Sequence, residues 1–538
     1  MKMKRFFAAA VAASLSASLI ACGSGNNTSD TAANQTNGTS QQTTTSAAAG
    51  QSEETTAGTC QYVDNEDPYT VVMGYIGLEK PDEVMIENAI NEILEKELNA
   101  KLDLKCFSWG EFVQKIQLSL TGTDKLDIVP VMVNTAPGYV ASGLVLDLKE
   151  LIDTYGTNIK KYVDPDFINS PNINGYIYGV TPMDEQISWQ GVIMRRDLLE
   201  EAGYTVNDET DMCEEITSLE DLTEVMAKVQ EKHPEMTMMC SSAAGTPLVH
   251  WDAMDKLTDG FGVLMDYGQS TEVVNLYETE ELKAFVQTMK EWNEAGYFSK
   301  DAITTTTSIT EQVMTGKYFA YMTTMKAGAV TQDELSSKMD LAGAAIFGNP
   351  VLTSNSVNFL TWGIGRNCEN PARTMKVLDY IYGSPEVMNL LCWGIEGTHY
   401  KFVDKEQGII DYVDGQDGTT SGWMMGNGWQ FPNQEIAYTA APDTPAKWDY
   451  QHELIDTAVR SKALGFSYDS SSLVNELTAL TNVKNQYFDM LGSGNVDDVD
   501  AVLKEFNDAL YTAGLQKVID EKQRQLDEWL ATQGSTAE

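Results

Sequence analysis

The side chains that most often do chemistry are scarce or dispersed in this chain. Its four histidines, His233, His250, His399 and His452, include no two at a metal-ligand spacing. No H-E-x-x-H, G-x-S-x-G, Walker or dinucleotide glycine pattern occurs at a usable position. Carboxylates are plentiful, 79 Asp and Glu against 36 Lys and Arg, but abundance singles out no acid–base pair. Asp411, Asp414 and Asp417 carry the oxygens calcium prefers, yet their spacing is not that of an EF-hand and reads as a solvated turn. The expectation is a binding protein with no catalytic residue, no metal and no resident cofactor. Polar residues do stand at one place where ligands collect. Asn134 and Thr135 follow Ile128 to Val133, an apolar run that suits a strand buried on both faces of a parallel sheet. Ligands gather outside the carboxyl ends of such strands.

The elements around that strand end alternate between strand and helix. Thr70 to Ile76 reads as a strand, and Ile86, Ile90, Ile93, Leu94 and Leu98 recur at helical spacing. Leu102, Leu104 and Cys106 alternate with polar residues as a second strand, and a helix carries Phe112, Ile116 and Leu120. This order predicts a doubly wound α/β lobe. Tyr176 to Val180 and Gly191 to Met194 are strands between which the chain crosses to a second, more helical lobe. Helices are expected over Leu219 to Lys232 and Thr279 to Ala295, and a buried strand over Phe319 to Met322 ends in Thr323 and Thr324. A return crossing is read at Phe359 to Ile364, and a helical tail runs to about Thr532.

Length and charge narrow the partners. The 538 residues suffice for two or three domains, and 42% hydrophobic with 21% charged residues is a globular composition. The formal net charge of −43 repels phosphate backbones, so nucleic acid is excluded as a partner. Met1 to Arg5 is basic and Phe6 to Ile20 is apolar but too short to span a bilayer. Residues 1–21 are therefore expected to be a signal peptide. Leu19-Ile20-Ala21-Cys22 looks like a bacterial lipobox, which implies cleavage before Cys22 and lipid on that residue. Residues 22–66 are Ser, Thr, Asn, Gln, Gly and Ala with little to bury, and read as a disordered tether with a reach of ~35–40 Å. Six further cysteines, Cys60, Cys106, Cys213, Cys240, Cys368 and Cys392, allow more pairings than the sequence can choose among.

Four stretches together resemble the extracellular solute-binding proteins of bacterial carbohydrate ABC importers. The lipobox and tether are the first. Asp127-Ile128-Val129, Tyr139, Ser142-Gly143-Leu144 and Asp147-Leu148 resemble the family stretch at the end of the third strand. Tyr178-Gly179-Val180-Thr181-Pro182, followed by Arg195-Arg196-Asp197-Leu198-Leu199 and Ala202-Gly203, is similar to its first crossing. Asn370-Pro371, Leu378-Asp379-Tyr380 and Ser384-Pro385-Glu386 resemble its return helices. Gly394 to Tyr400 and the long tail resemble the LipO-like branch with an extended C-terminal segment.

The resemblance implies a two-lobed periplasmic-binding-protein fold, type II-like, with lobes of residues 67–185 plus 352–400 and 186–351 plus 401–532. It also implies an oligosaccharide in the cleft, closure on binding, delivery to ABC permease transmembrane subunits, and a lipid-anchored monomer on the extracellular face of the cytoplasmic membrane. By resemblance, Asn134 and Thr135 match positions that bond sugar hydroxyls, although many relatives have an acidic residue at the first. Glu79 falls in the loop after the first strand, Gln186 and Trp189 where the first crossing faces the cleft, Trp251 at a stacking position, and Thr323 at a bordering strand end. A sugar site needs flat rings against CH faces and a few oriented polar groups. Trp423 and Trp429, in a Gly-rich loop, and Trp362, in an apolar strand, complete the expected set. Trp109 reads as packing, and Glu396 and His399 as lobe structure. A surface glycoside hydrolase and a peptide- or polyamine-binding importer component are the alternative readings.

Overall fold

The strand Ile128–Met132 is buried along its whole length, because the sheet it joins is covered on both faces. It pairs in parallel with Tyr69–Ile76, which pairs in parallel with Ala100–Phe107, and antiparallel with Leu360–Ile364. Asp127 begins this sheet from a fully buried position. Its carboxylate accepts from the Val72 amide at 2.8 Å and the Tyr69 hydroxyl at 2.9 Å, which fixes where the two strands start relative to each other. This computed structural model describes residues 60–534 apart from positions 186, 188, 209, 243–245, 252, 306, 327, 349, 419 and 425–427. The expected signal peptide, Cys22 and the tether as far as residue 59 lie outside the described residues, as does Gln186.

A second four-stranded sheet, in the order Thr237–Met239, Tyr318–Met325, Trp189–Arg195, Leu341–Ala344, forms the other lobe. Its helices include those the sequence pattern predicts, Leu219–Lys232 and Glu280–Glu294, and add Ala329–Ser337. Leu219–Lys232 buries Leu222, Val225, Met226 and Val229 on one stripe, and the Ser218 side chain caps it by accepting from the Asp221 amide. The tail helices Val474–Gly492, Val499–Ala513 and Leu515–Gly534 belong to this lobe's core, where Leu480, Phe506, Leu510 and Leu526 pack with Phe285 and Met289. Among the described residues no helix is long and apolar enough to cross a membrane.

Two expected boundaries move. The first lobe begins earlier than residue 67: Asp64 is paired with Arg373 and Lys376, each at 2.9 Å, and Cys60 packs against the first core. The second lobe does not take up the chain at residue 401. The small sheet of Tyr400–Asp404, Ile409–Tyr412 and Thr439–Ala440 shares the first core, with Tyr400, Ile410, Trp423 and Phe431 packed among Trp362, Leu391 and Tyr382. The chain therefore passes between lobes at 181–189, at 345–359, and a third time at 441–460. Val351–Leu352 and Val459–Arg460 pair in parallel and tie the last two passages together. All six cysteines from Cys60 onward are free thiols.

Candidate functional site

The parallel strands of the first lobe end on one edge, and the loops after them bring three aromatic rings together. Trp109 follows Ala100–Phe107, and Phe359 directly precedes Leu360–Ile364 on the same edge. Trp429 arrives from far along the chain. Its neighbour Gln430 is fully buried and pairs with the backbone of Ile76 in both directions, Nε2 donating to the carbonyl at 2.9 Å and Oε1 accepting from the amide at 2.8 Å. The Gln430 carbonyl also accepts from the Trp362 indole at 2.7 Å. The segment Gly428–Gln430 is thus stitched to the end of the sheet, and Trp429 is left half-buried on the cleft side. Its ring stacks on Trp109, with centroids 6.1 Å apart and planes 23° apart, and lies 6.0 Å from Phe359. Trp109 is 50% exposed and Phe359 47% exposed, an unusual surface for large rings unless something covers it.

Across from these rings the second lobe presents polar groups with fixed orientation. Gln190 lines the cleft. Its Oε1 accepts from the Thr324 hydroxyl at 3.2 Å and lies 3.0 Å from His250 Nδ1. Burial pushes His250 down to about 4, so near neutral pH its ring is uncharged and donates from Nδ1. The Gln190 oxygen is thereby occupied and its amide NH₂ is oriented by the same two contacts. Met254 and Lys256 complete this wall, and Thr353, Asn355 and Ser356 border the passage on the other side. The enclosed volume is about 420 Å³. A larger cavity, about 810 Å³, is lined by first-lobe residues such as Ile93, Tyr380 and Tyr438, with none from the crossing segments.

The floor is acidic and belongs to the first crossing. Glu185 takes two ammoniums, Lys326 at 2.6 Å and Lys447 at 3.0 Å, and Lys447 also reaches Asp443 at 3.3 Å. Burial alone would raise the Glu185 carboxyl, but the Lys447 and Lys326 charges outweigh it and hold the group below its ordinary value. Asp184 is in the opposite position. Burial first, and the Glu185 charge second, push it well above the ordinary carboxylate range, with Lys326 opposing. One carboxylate is locked by two cations while its neighbour resists ionisation, and both line the cleft.

The residues expected from sequence fall into three groups. Asn134 is exposed and Thr135 half-buried beyond Ile128–Met132, next to Val133, whose amide donates to the Phe359 carbonyl at 3.2 Å. The Thr135 hydroxyl is used locally, donating to the Met132 carbonyl at 2.9 Å. Glu79 is exposed in the loop after Tyr69–Ile76, and Thr323 is half-buried opposite Gly191. Trp429 is at the cleft. Trp362 and Trp423 are not: both are fully buried, their indoles donating to the carbonyls of Gln430 and Leu391, so they are first-lobe core. Trp189 and Trp251 are 7% exposed. The first packs with Ile193, Cys240 and Met325 and meets Tyr450 edge-on at 6.1 Å; the second packs on Phe285 at 5.6 Å. They are walls behind the cleft surface rather than rings lining it. His399 is fully buried, its Nδ1 accepting from the Ile395 amide at 3.0 Å and its Nε2 lying 3.2 Å from Asp82, which is a lobe-structure role.

Trp109 is not the packing residue expected, being half exposed against Trp429; Phe359, Asp184, Glu185, Gln190, His250 and Lys256 were not expected at a site from sequence. Trp109 and Phe359 carried a usable signal, since each sits at a strand end beside a turn residue, Gly110 and Asn358. The others depend on the crossing geometry and had none. Asp414 pairs with Lys401, and Asp417 accepts from the Thr420 amide and hydroxyl, which is turn chemistry. Among the described residues no cluster of His, Cys, Asp or Glu is arranged to hold a metal.

Comparison with known proteins agrees with this architecture. A family model described as bacterial extracellular solute-binding protein matches residues 79–387, and a domain of unknown function, DUF3502, matches residues 462–531. A carbohydrate ABC transporter substrate-binding protein of Streptococcus pneumoniae serotype 4 is 27% identical over 505 residues, covering 88% of this chain and 94% of that protein. The crystal structure of the N-glycan transport solute binding protein NgtS from Streptococcus pneumoniae, 25% identical, overlays with a TM-score of 0.74 over 86% of this chain and 99% of that one. The same protein in complex with Man5GlcNAc gives a TM-score of 0.62 over the same shares.

Proposed function

We propose, from the premise that this chain belongs to the bacterial extracellular solute-binding proteins, that it captures an oligosaccharide between its lobes and delivers it to the transmembrane subunits of an ABC importer. The observation that carries this reading is the cluster of Trp109, Trp429 and Phe359, with Trp429 and Phe359 lining the same cleft as the oriented amide of Gln190. Rings of this kind cover the CH faces of a sugar, and a few fixed donors and acceptors satisfy its hydroxyls. The glycan in the NgtS complex and the carbohydrate transporter relative support the ligand class. Asn134 after Ile128–Met132, Glu79 after Tyr69–Ile76 and Thr323 near the end of Tyr318–Met325 are proposed as further contacts, with Asp184 at the floor of the cleft.

Delivery requires two states. The ligand touches both lobes only when they close, so it favours the closed form by its extra contacts there. The three passages between lobes are the elements that flex. The experiment is calorimetry of the purified protein against mannose- and N-acetylglucosamine-containing glycans, with recovery of the ligand afterwards. Saturable binding with the glycan recovered intact is expected. Turnover of the glycan, or binding of cations or peptides in place of every glycan, would overturn the reading.

Anchoring belongs to the same proposal. Leu19-Ile20-Ala21-Cys22 supports lipid attachment at Cys22, and the polar tether to residue 59 supports a binding unit held off the membrane. Mass analysis of the mature N-terminal peptide from a bacterial host should show a diacylglyceryl Cys22; a free thiol on an N-terminal peptide starting elsewhere would sink this part alone.

A further inference from the structure

We propose that the C-terminal helical segment, residues 462–531, is the positioning device of the cleft, and that it acts through Lys522, whose ammonium is a fixed internal cation for the turn that carries the second-lobe wall. This rests on the cleft being the ligand site. The segment coincides with the match to a domain of unknown function.

The turn is 255–262; Met254 just before it and Lys256 within it line the cleft. Its backbone is costly. Leu257 and Thr258 both have positive φ, 43° and 81°, a region that a β-branched residue rarely adopts. Such a conformation persists only where its surroundings over-determine it. Two carboxylates do so. Asp255 accepts from the Leu257 amide at 2.9 Å and from the Ser461 hydroxyl at 2.7 Å. Asp259 accepts from the Phe261 amide at 2.7 Å. Two carboxylates four residues apart inside a turn repel each other, and the turn needs a positive charge on its inner side.

Lys522 supplies it. Its Nζ donates to Asp259 at 2.6 Å and to the Gly262 carbonyl at 3.2 Å, and its side chain is 0% exposed. The position is unexpected for a lysine. On helix Leu515–Gly534 the core stripe is Leu515, Val518, Ile519 and Leu526, and residue 522 falls in it. A helix that needed only to pack would have an apolar residue there, since burying an ion pair seldom stabilises more than a well-packed hydrophobic replacement. Burial pulls Lys522 down while Asp259 and Asp255 oppose, and the 2.6 Å contact with Asp259 has the length of a charge-assisted hydrogen bond. Gly262, at φ 91°, packs close under the helix: a Cβ there would clash with Val273 and crowd Ile519, while the Lys522 stem would be at ordinary contact distance. The next residue, Gln523, clamps the outgoing chain, accepting from the Val273 amide at 2.7 Å and donating to the Thr271 carbonyl at 3.0 Å. The helix therefore grips both ends of the loop that begins at the cleft wall.

Lys522→Ala in the full chain tests this with a readout that needs no ligand. Hydrogen exchange at the Leu257 and Phe261 amides is expected to quicken at least tenfold, while helix Leu219–Lys232 keeps its wild-type protection. Affinity for Man5GlcNAc is expected to fall at least tenfold. Millimolar n-butylammonium, which restores the missing cation, should recover part of both; tetramethylammonium, which cannot donate hydrogen bonds, should not. Unchanged exchange and affinity would overturn the proposal, and so would losses that track global unfolding with no rescue. Where Lys522→Ala does not fold, Lys522→Met keeps the side-chain volume and leaves Asp259 without its cation; wild-type exchange and affinity in it would be equally fatal. If the wild-type protein binds no glycan, the transport reading fails, while exchange and rescue still decide whether Lys522 holds the turn.

Discussion

Trp429→Ala is expected to weaken glycan binding by about 30- to 100-fold, with kinetics changed mainly in dissociation. Large rings at the centre of a binding surface are the residues whose truncation costs ~2 kcal/mol or more, and ~1.4 kcal/mol is a tenfold change in affinity. Trp429 is the centre of its group, touching both Trp109 and Phe359, so its removal also leaves those rings without their shared neighbour. The contact is made only when ligand is present, which places the loss in the lifetime of the complex. A paired variant gives the contrast. Trp423→Phe perturbs a fully buried ring whose indole donates to the Leu391 carbonyl at 3.0 Å. It should lower the unfolding midpoint while leaving affinity within about twofold. Surface plasmon resonance and thermal unfolding on both proteins decide the matter. Equal affinity losses in the two, or none in Trp429→Ala, would remove the aromatic stack from the site.

That contrast also marks how far the sequence could be read. Elements set by local pattern were legible. Ser218 followed by apolar residues at helical spacing became the capped helix Leu219–Lys232, and the apolar run after Asp127 became the buried strand Ile128–Met132. The doubly wound first lobe followed from their order, and the two-lobed fold from the family resemblance. Which face a tryptophan presents was not legible. Trp423 and Trp429 lie six residues apart in one Gly-rich loop, yet one is core and the other lines the cleft. The difference is made by Gln430 pairing with Ile76, a contact 354 residues apart in sequence that has no local signature. The same stitch draws residues 400–440 to the first lobe, against the expected boundary. Lys522 and Glu185 were overlooked for a related reason. A charged residue on a helix or loop normally reads as solvated, and only the fold shows that these two are held by opposite charges.

Asp184→Asn is expected to remove a pH dependence from both stability and binding. The groups facing Asp184 are Glu185 beside it, Lys326 at the end of Tyr318–Met325, Tyr382 on Pro371–Gly383 and Glu435 on Gln434–Ile436, with Lys447, Asp443 and His452 one contact further out. Burial, Glu185 and Glu435 raise its carboxyl, and Lys326 only partly offsets them. The folded value therefore lies above the unfolded one. In the pH window between the two, the folded protein holds a proton that the unfolded chain has released, so stability falls as pH rises through that window. Asparagine cannot ionise, so the variant should unfold at a higher temperature than wild type at pH 8 and converge with it near pH 4. Binding adds a second effect of the same sign. Closure over a ligand strips water from Asp184 and raises its carboxyl further, so the complex takes up a proton where the free protein is ionised. Wild-type affinity should then decline by up to about tenfold per pH unit in that range, and Asp184→Asn should show a flat profile. Calorimetry in phosphate and in Tris, whose heats of ionisation differ, reads the proton directly. The same binding heat in both buffers across the range for wild type would mean that Asp184 does not titrate with binding. A pH profile that survives in the variant would assign it to Glu435, whose carboxyl burial also raises.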